Sequence, residues 1–313
     1  MGVKLIDLVD KKDLKWETLQ GKKLAIDASN VIFQFLSSIR QRDGTPLMDN
    51  EGKITSHLVG LFSRVPNLMQ KGITPIFVFD GKAPDLKENI RKIRRANKDK
   101  AREKYEKAAL DSDEVSMGKY SRQLSLLNSD MVNECKDLLT ALGLPVVQAP
   151  SEAEAQCAYM NKKKKVWATA SQDYDSLLFG SPKLIQNLTL SQKRKLPGGK
   201  FVYISPYIIE LKEVLDRLEL NQEELLVLGI LVGTDYNPGG VKGIGPKKAL
   251  KLIQSGKKFE TIFNELETNF NWEEILNTFK HIPVEDVNIK ENNVDTDKVK
   301  ELLVEKHNFG EDR

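Results

Sequence analysis

Cysteine is scarce in this chain: Cys135 and Cys157 are the only two in 313 residues. That leaves no disulfide framework and fits a reducing compartment. Histidine is almost as rare, and His57, His281 and His307 all stand apart from the acidic motifs described below, which argues against a histidine base. No run of about eighteen apolar residues occurs, so no transmembrane helix is expected. The opening MGVKLIDLV has Gly2 but Ile6 where a myristoylation signal needs Ser or Thr. Asp7 and Asp10 interrupt the apolar stretch that a secretory signal would require. A large charge of one sign is also missing. With 48 Lys and Arg against 45 Asp and Glu the net charge is only +3, so its distribution matters more than its sum.

What is present is enough apolar material, 40% of residues, for one large domain or a core with appended modules. Short apolar runs alternate with helical stretches. The pattern predicts strands near 23–28, 75–80, 145–149, 165–170, 183–188 and 200–205. The intervals between the first four are long enough for helical crossovers. The expected fold class is α/β, a mostly parallel central sheet with helices on both faces.

Seven carboxylates sit where these strands or their turns end. KLAIDAS ends its run on Asp27 and PIFVFDG on Asp80, while ASQDYDSLLFG presents Asp173 and Asp175 two residues apart, a spacing that shares one face in an extended segment. APSEAEAQCAYM offers Glu152 and Glu154 at a helix start, and LVGTDYNPGG places Asp235 just after a helix end. Taken singly, each has a structural explanation. Ser151 with Glu154 reads as a capping box, Asp27 as a helix cap and Asp173 as a turn residue. Their repetition at strand ends, where open parallel sheets bind ligands, is not explained that way. Such a set repels itself unless cations sit among its members, so it reads as a divalent-metal site.

Between Asp80 and Pro145 the chain is too long for a simple crossover. Residues 82–107 carry eleven Lys or Arg against five acids, a local charge of +6. Lys87, Arg91, Arg94, Lys98 and Arg102 recur at helical spacing. A basic helix starting beside a metal-site carboxylate suits a phosphate polyanion, and residues 82–130 are read as an arch over the site. Further on, NQEELLVLGILVG is an apolar helix, TDYNPGG a loop, and VKGIGPKKALKLI brings Gly243, Gly245 and Pro246 to the start of a second helix bearing Lys247 and Lys248. Glycines there let backbone N–H groups approach an anion closely. This is a helix-hairpin-helix-type module, about 222–254, suited to a duplex phosphate backbone and unable to read sequence. The core is placed at 1–254, with 255–313 as a C-terminal helical region packed on it.

Together IDASNVIFQFL, FVFDGKAPDLK, QAPSEAEAQCAYM, ASQDYDSLLFG and LVGTDYNPGGVKGIGPKKA resemble the flap endonucleases, structure-specific 5′-nucleases of replication and repair. The resemblance covers essentially the whole chain, and its wording is nearer the archaeal members. It implies a nuclease that removes 5′ flaps from branched double-stranded DNA, with minor 5′ exonuclease action. It implies two Mg²⁺ held by the seven carboxylates, with Mn²⁺ as a substitute, and a K⁺ in the hairpin module. Lys87 and Arg94 match the basic pair on the scissile phosphate. Phe33 stands where many members have a Tyr that stacks on a base, and Gly2 matches a glycine that approaches the active centre. The segment from Arg40 to Ser56 corresponds to the wedge and the pocket for a one-nucleotide 3′ flap.

Two departures stand out: NKKKKV, residues 161–166, is more basic than the family pattern, and the ending EKHNFGEDR lacks the motif with which members dock on a sliding clamp. A C-terminus cut short is therefore an expectation, and direct clamp binding is left unsupported. A monomer is expected, located in the archaeal nucleoid or, for a eukaryotic member, in the nucleus. The implied chemistry is in-line attack of water on a phosphodiester without a covalent intermediate. A plain 5′ exonuclease or junction resolvase, and a non-catalytic binder of branched DNA, are the alternatives.

Overall fold

The computed structural model of the chain describes residues 3–41, 43–110, 127–189, 193–195 and 201–312; the side chains of 88–91, 93–95, 97–98, 109–110, 193–195 and 201–203 lie outside that description. The parallel strands are β2 (Lys23–Asp27), β3 (Thr74–Phe79), β4 (Val146–Gln148), β5 (Ala168–Ala170) and β6 (Lys183–Gln186). With β1 (Lys12–Asp13) and β9 (Tyr207–Glu210) they form a seven-stranded sheet of order β1-β9-β6-β5-β2-β3-β4. Only β1–β9 and β9–β6 pair antiparallel.

Strand residues alternate between two buried faces. Leu24, Ile26, Phe77 and Phe79 join one apolar cluster with α1 (Ala28–Ser38), α2 (Ser56–Gln70) and α4 (Ser129–Ala141). Their neighbours Ala25, Ile76 and Val78 join another with Ala153, Cys157 and Met160 of α5 (Ala153–Lys162). Burial on both faces is why these strands are apolar throughout rather than alternating. Beyond the sheet, α8 (Gln222–Val232) is apolar nearly all round and buried among Leu177, Leu178, Ile262, Phe263 and Phe279.

The strand expected at 200–205 is short and lies elsewhere. β8 (Phe201–Tyr203) pairs with β7 (Lys193–Lys195) in a separate two-stranded sheet. The main sheet is completed instead by β9, whose Ile208 and Ile209 are buried. Of the three residues that separate Tyr207 from the charged helix α7 (Leu211–Leu218), two are apolar, too short a run to announce a strand. Helix α3 spans Lys87–Leu110, and residues 111–126 of the expected arch lie outside the described residues.

After α9 (Pro246–Gln254), α10 (Phe259–Glu265) and α11 (Trp272–His281) pack Phe263, Ile275 and Phe279 into the cluster around α8. The chain then runs past Val287 and Ile289 on the α5 face. It bonds through Asn292 and Asp295 N–H groups to the carbonyls of Gly143 and Ala141. Past α12 (Thr296–Lys300) it buries Leu302 and Leu303 on the opposite face. Residues 255–312 thus pass from one side of the sheet to the other.

Candidate active site

The chain visits β2, β3 and β4 in one direction across the sheet and then returns to β5 and β6 on the other side of β2. Such a reversal leaves a crevice at the carboxyl ends of the strands flanking it. All seven carboxylates lie there. Asp27, Asp80, Glu152, Glu154, Asp173, Asp175 and Asp235 line one cleft of about 310 Å³ together with Ser29, Asn30, Phe33 and Lys87.

Local structure fixes each of them. Asp27 ends β2 and caps α1, accepting the Asn30 N–H at 3.1 Å. Asp80 follows β3 and accepts from the Ser29 hydroxyl and from the Ala153 N–H. Asp173 accepts from the Asn30 amide at 2.8 Å, and Asp175 from the Val3 N–H at 2.8 Å. Gly2 itself lies outside the described residues, but the neighbouring amide reaches the cleft. The expected capping box at Ser151 and Glu154 does not form. Glu152 is the cap residue without a side-chain bond, the Ser151 hydroxyl donates to the Lys82 carbonyl, and Asp80 supplies the acceptor from across the site. Nor do Asp173 and Asp175 share an extended face, since Asp175 opens a four-residue helix; the turn before it aims both into the cleft.

The cost of collecting these charges is visible. Burial, then the nearby Asp80 charge, pushes Asp27 up to about 8. Burial, with Asp235 and Asp173 against the opposing Val3 N–H, pushes Asp175 up to about 7. Glu154 is likewise raised well above the usual carboxylate range by burial and by Asp175. One cation answers them from within. Lys87 pairs with Glu152 and sits 3.5 Å from Asp235. Burial works against its charge, but Glu152 and Asp235 outweigh it and push the amine up to about 12. Tyr236, which carries no sequence signal, holds the pair in place. Its hydroxyl donates to Glu152 at 2.8 Å, its ring lies 5.4 Å from the Lys87 amine, and its edge meets Phe279.

An all-oxygen, multiply anionic cleft suits hard divalent cations that retain part of their water shell. Among the described residues no three ligating side chains close into a preformed cage, and for a cation that keeps its waters none is needed.

The other expected residues are more scattered. Phe33 is 42% exposed at the cleft wall. Arg94 lies on α3, two turns beyond Lys87, with its side chain outside the described residues. Gly245 caps α9 with Pro246 first in the helix, and Gly243 has φ +80°. Lys247 and Lys248 are exposed, and the Lys248 amine donates to the Gly243 carbonyl at 3.1 Å. The Arg40 guanidinium donates to the Gly44 carbonyl at 2.8 Å, anchoring the loop before α2.

Family models of the XPG N-terminal domain and the XPG I-region match residues 1–101 and 143–235. The chain is 48% identical over 315 residues to flap endonuclease 1 of Thermococcus onnurineus, covering 100% of this chain and 92% of that protein. Flap endonuclease 1 of Pyrococcus furiosus matches at 47% with the same coverage. Among solved structures, flap endonuclease-1 from Methanococcus jannaschii superposes with a TM-score of 0.79 at 42% identity, over 100% of this chain and 95% of that one. The catalytic core of Rad2 in complex with a DNA substrate shares the fold at a TM-score of 0.70 and 23% identity, over 99% and 96%. The XPG regions hold all seven carboxylates of the cleft, and with that end-to-end identity the chain belongs to the flap endonuclease family.

Proposed function

We propose that this structure-specific 5′-flap nuclease hydrolyses the phosphodiester at the flap base in the cleft of Asp27, Asp80, Glu152, Glu154, Asp173, Asp175 and Asp235, using divalent cations, with Mg²⁺ the expected ion and Mn²⁺ a substitute. The observation that carries this reading is the convergence of seven carboxylates and one buried lysine at the strand ends. Cations bound there would acidify water and offset charge on the phosphate oxygens. Asn30 and Ser29 hold Asp173 and Asp80 in orientation. Tyr236 holds Glu152 where Lys87 can meet it, and a phosphate entering the cleft would draw the Lys87 amine from carboxylate to phosphate oxygen. Arg94, two turns along α3, is assigned the same anion from the arch side.

Phe33, with its exposed ring, is read as the stacking face for a base beside the cut. Gly243, Gly245, Lys247 and Lys248 at the start of α9 are read as the grip on duplex phosphates, with a K⁺ in that loop; this contact positions DNA and carries no base information. Arg40 and the loop after it are read as touching the opposite duplex arm. Gly2, next to the Val3 amide on Asp175, is read as approaching the same DNA. The protein is expected to act as a monomer on chromosomal DNA, in the nucleoid of an archaeal cell.

The test is cleavage of an end-labelled double-flap duplex with Mg²⁺, Mn²⁺ or EDTA, beside nicked, blunt and four-way-junction DNA. Metal-dependent incision near the flap base, strongest on the double flap, is expected. Binding without incision in either metal would overturn the catalytic assignment, and a preference for the four-way junction would make the chain a resolvase.

A further inference from the structure

Outside the acidic cleft, four ionisable side chains from distant parts of the chain meet, with Glu134 partly exposed and the other three side chains shielded from solvent. His57 lies in the first turn of α2, Glu134 in α4, Asp49 in the loop before α2, and His307 beyond α12. His57 is fully buried and His307 is 4% exposed. His307 Nδ1 is 2.8 Å from Asp49 Oδ2 and its Nε2 is 3.2 Å from Glu134 Oε1. The other Glu134 oxygen lies 2.9 Å from His57 Nε2.

These contacts place a carboxylate oxygen at each nitrogen of the His307 ring. Asp49 Oδ1 already accepts the N–H groups of Glu51 and Lys53, at 3.0 and 2.8 Å, which favours the ionised carboxylate, so Oδ2 is an acceptor too. His57 Nδ1 has no partner, so a neutral His57 placing its proton on Nε2 satisfies Glu134. Both nitrogens of His307 then face acceptors, and an imidazole with two acceptors is satisfied only as imidazolium. A proton moved to Glu134 would leave a more basic group for a less basic one. Burial pushes the Glu134 carboxyl up, but its contacts with His57 and His307 outweigh it and leave it below the usual range.

We propose that His307, as a buried imidazolium shared by Asp49 and Glu134, is the positioning residue that fastens the loop of residues 43–55 and the C-terminal segment to α2 and α4. Loop hold, and with it DNA hold, depends on both ring nitrogens donating. The loop's other contacts are short in sequence range, two isolated bridges, Arg40 with Pro46 and Met48 with Ile54, and hydrogen bonds such as Arg40 to the Gly44 carbonyl, the Leu47 N–H to the Ser56 hydroxyl and that hydroxyl to the Ile39 carbonyl, whereas His307 reaches it from 258 positions away. On the other side the Phe309 N–H bonds to the Leu303 carbonyl, which seats the segment carrying His307. The two pieces together wall a cleft of about 420 Å³ lined by Leu47, Met48, Thr55, Val59 and Phe309. The charged groups around the ring are Asp49 and Glu134 in contact, with Lys53 and Asp312 at the periphery. With the ring neutral one of its two carboxylate contacts loses its donor, while Asp49 keeps the Glu51 and Lys53 N–H groups and Glu134 keeps His57. The link from this contact to DNA rests on the reading of the loop as a duplex contact under Proposed function.

Only three histidines exist, so nitrogen-15 spectra of the whole protein labelled at histidine resolve each ring, with His281→Gln and His57→Gln for assignment. At pH 7 both His307 nitrogens should be protonated, and a neutral His307 ring at pH 6 would overturn the proposal. Affinity for a labelled double-flap duplex is then compared with that of His307→Lys, which keeps a cation that does not titrate in this range, and of His307→Gln. Wild type should lose about threefold or more in affinity relative to His307→Lys across the pH interval in which the same spectra show the His307 ring giving up its second proton. His307→Gln should be weak at both ends. Parallel pH profiles for wild type and His307→Lys would overturn the positioning role. Failure of every variant, wild type included, to bind the flap would sink the Proposed function instead and leave the ring state to be read by the spectra alone.

Discussion

The carboxylate of Asp80 accepts the backbone N–H of Ala153 at 2.9 Å, joining the end of β3 to the first turn of α5 across 73 residues. One carboxylate of the cleft is thereby a cap supplied from another element for the helix that carries Glu154. This contact joins two parts of the acidic cleft, alongside the Asn30 bond to Asp173 and the Tyr236 bond to Glu152.

Gly81 makes that contact sterically permissible, and its replacement should break it. A Cβ at 81 would lie 2.1 Å from the Ala149 carbonyl oxygen and 2.7 Å from the Pro150 carbonyl carbon, both backbone atoms that cannot swing aside, and the Gly81 N–H already bonds to the Ser151 carbonyl at 2.6 Å. Gly81→Ala should destabilise the fold by about 2–3 kcal/mol and lower cleavage per folded molecule. Calorimetry and single-turnover cleavage check this; an unchanged melting temperature would show that the 149–151 backbone yields.

Without divalent cations the cleft should make the protein less stable as pH rises. Asp27 and Asp175 are raised to about 8 and about 7 in the fold, against about 3.9 for an aspartate in an unfolded chain. Between those values the folded state binds more protons than the unfolded one, so stability falls with increasing pH across that window. In EDTA the melting temperature should decline between about pH 5 and pH 8, less so for Asp27→Asn, and added Mg²⁺ or Mn²⁺ should restore most at the alkaline end. Stability that climbs with pH in EDTA would mean the carboxylates are not crowded as described.

The carboxylates were legible in sequence because each ends a short apolar run or flanks a helix, a pattern that survives without knowing where the elements go. What makes the cleft work locally was not. Ser29, Asn30 and Val3 act on carboxylates 51, 143 and 172 positions away, distances that no local pattern encodes. The Ser151 pattern points to a capping box for the same reason, since nothing near it in sequence shows that Asp80 fills that place from the end of β3. β9 escapes because its Ile208–Ile209 pair is too short to announce a strand, whereas Leu24–Ile26 of β2 and Ile76–Phe79 of β3 are apolar and buried on both faces. The link between His57, Glu134 and His307 was equally invisible, being carried by residues with 77 and 173 positions between them.

Tyr236 is such a hidden residue, and its hydroxyl can be removed without its ring. Tyr236→Phe keeps the edge contact with Phe279 and the cation–π contact with Lys87 but takes from Glu152 its hydroxyl donor. The buried carboxylate then relies on Lys87 alone among these two. A loss of about 1 kcal/mol in stability and a cleavage rate down about three- to tenfold are expected. Full activity at unchanged metal dependence would reduce Tyr236 to a packing residue.

Asp175 carries two duties that two substitutions can separate. Its carboxylate lines the cleft, and its Oδ1 accepts the Val3 N–H that draws the N-terminal strand of chain to the site. Asp175→Asn keeps an acceptor for Val3 and removes the charge, so cleavage should fall by about a thousandfold or more with flap binding retained and the N-terminus still protected from exchange. Asp175→Ala removes both, so cleavage should be lost equally while the amide of Val3 becomes exchangeable and the melting temperature falls by a further few degrees. Relief of crowding pulls the other way, since either change removes a carboxylate from beside Asp173 and Asp235. The sign of the stability difference between the two variants therefore isolates the Val3 bond, and identical exchange at Val3 in both would show that the N-terminal segment is held by Leu5 and its neighbours in the core rather than by Asp175.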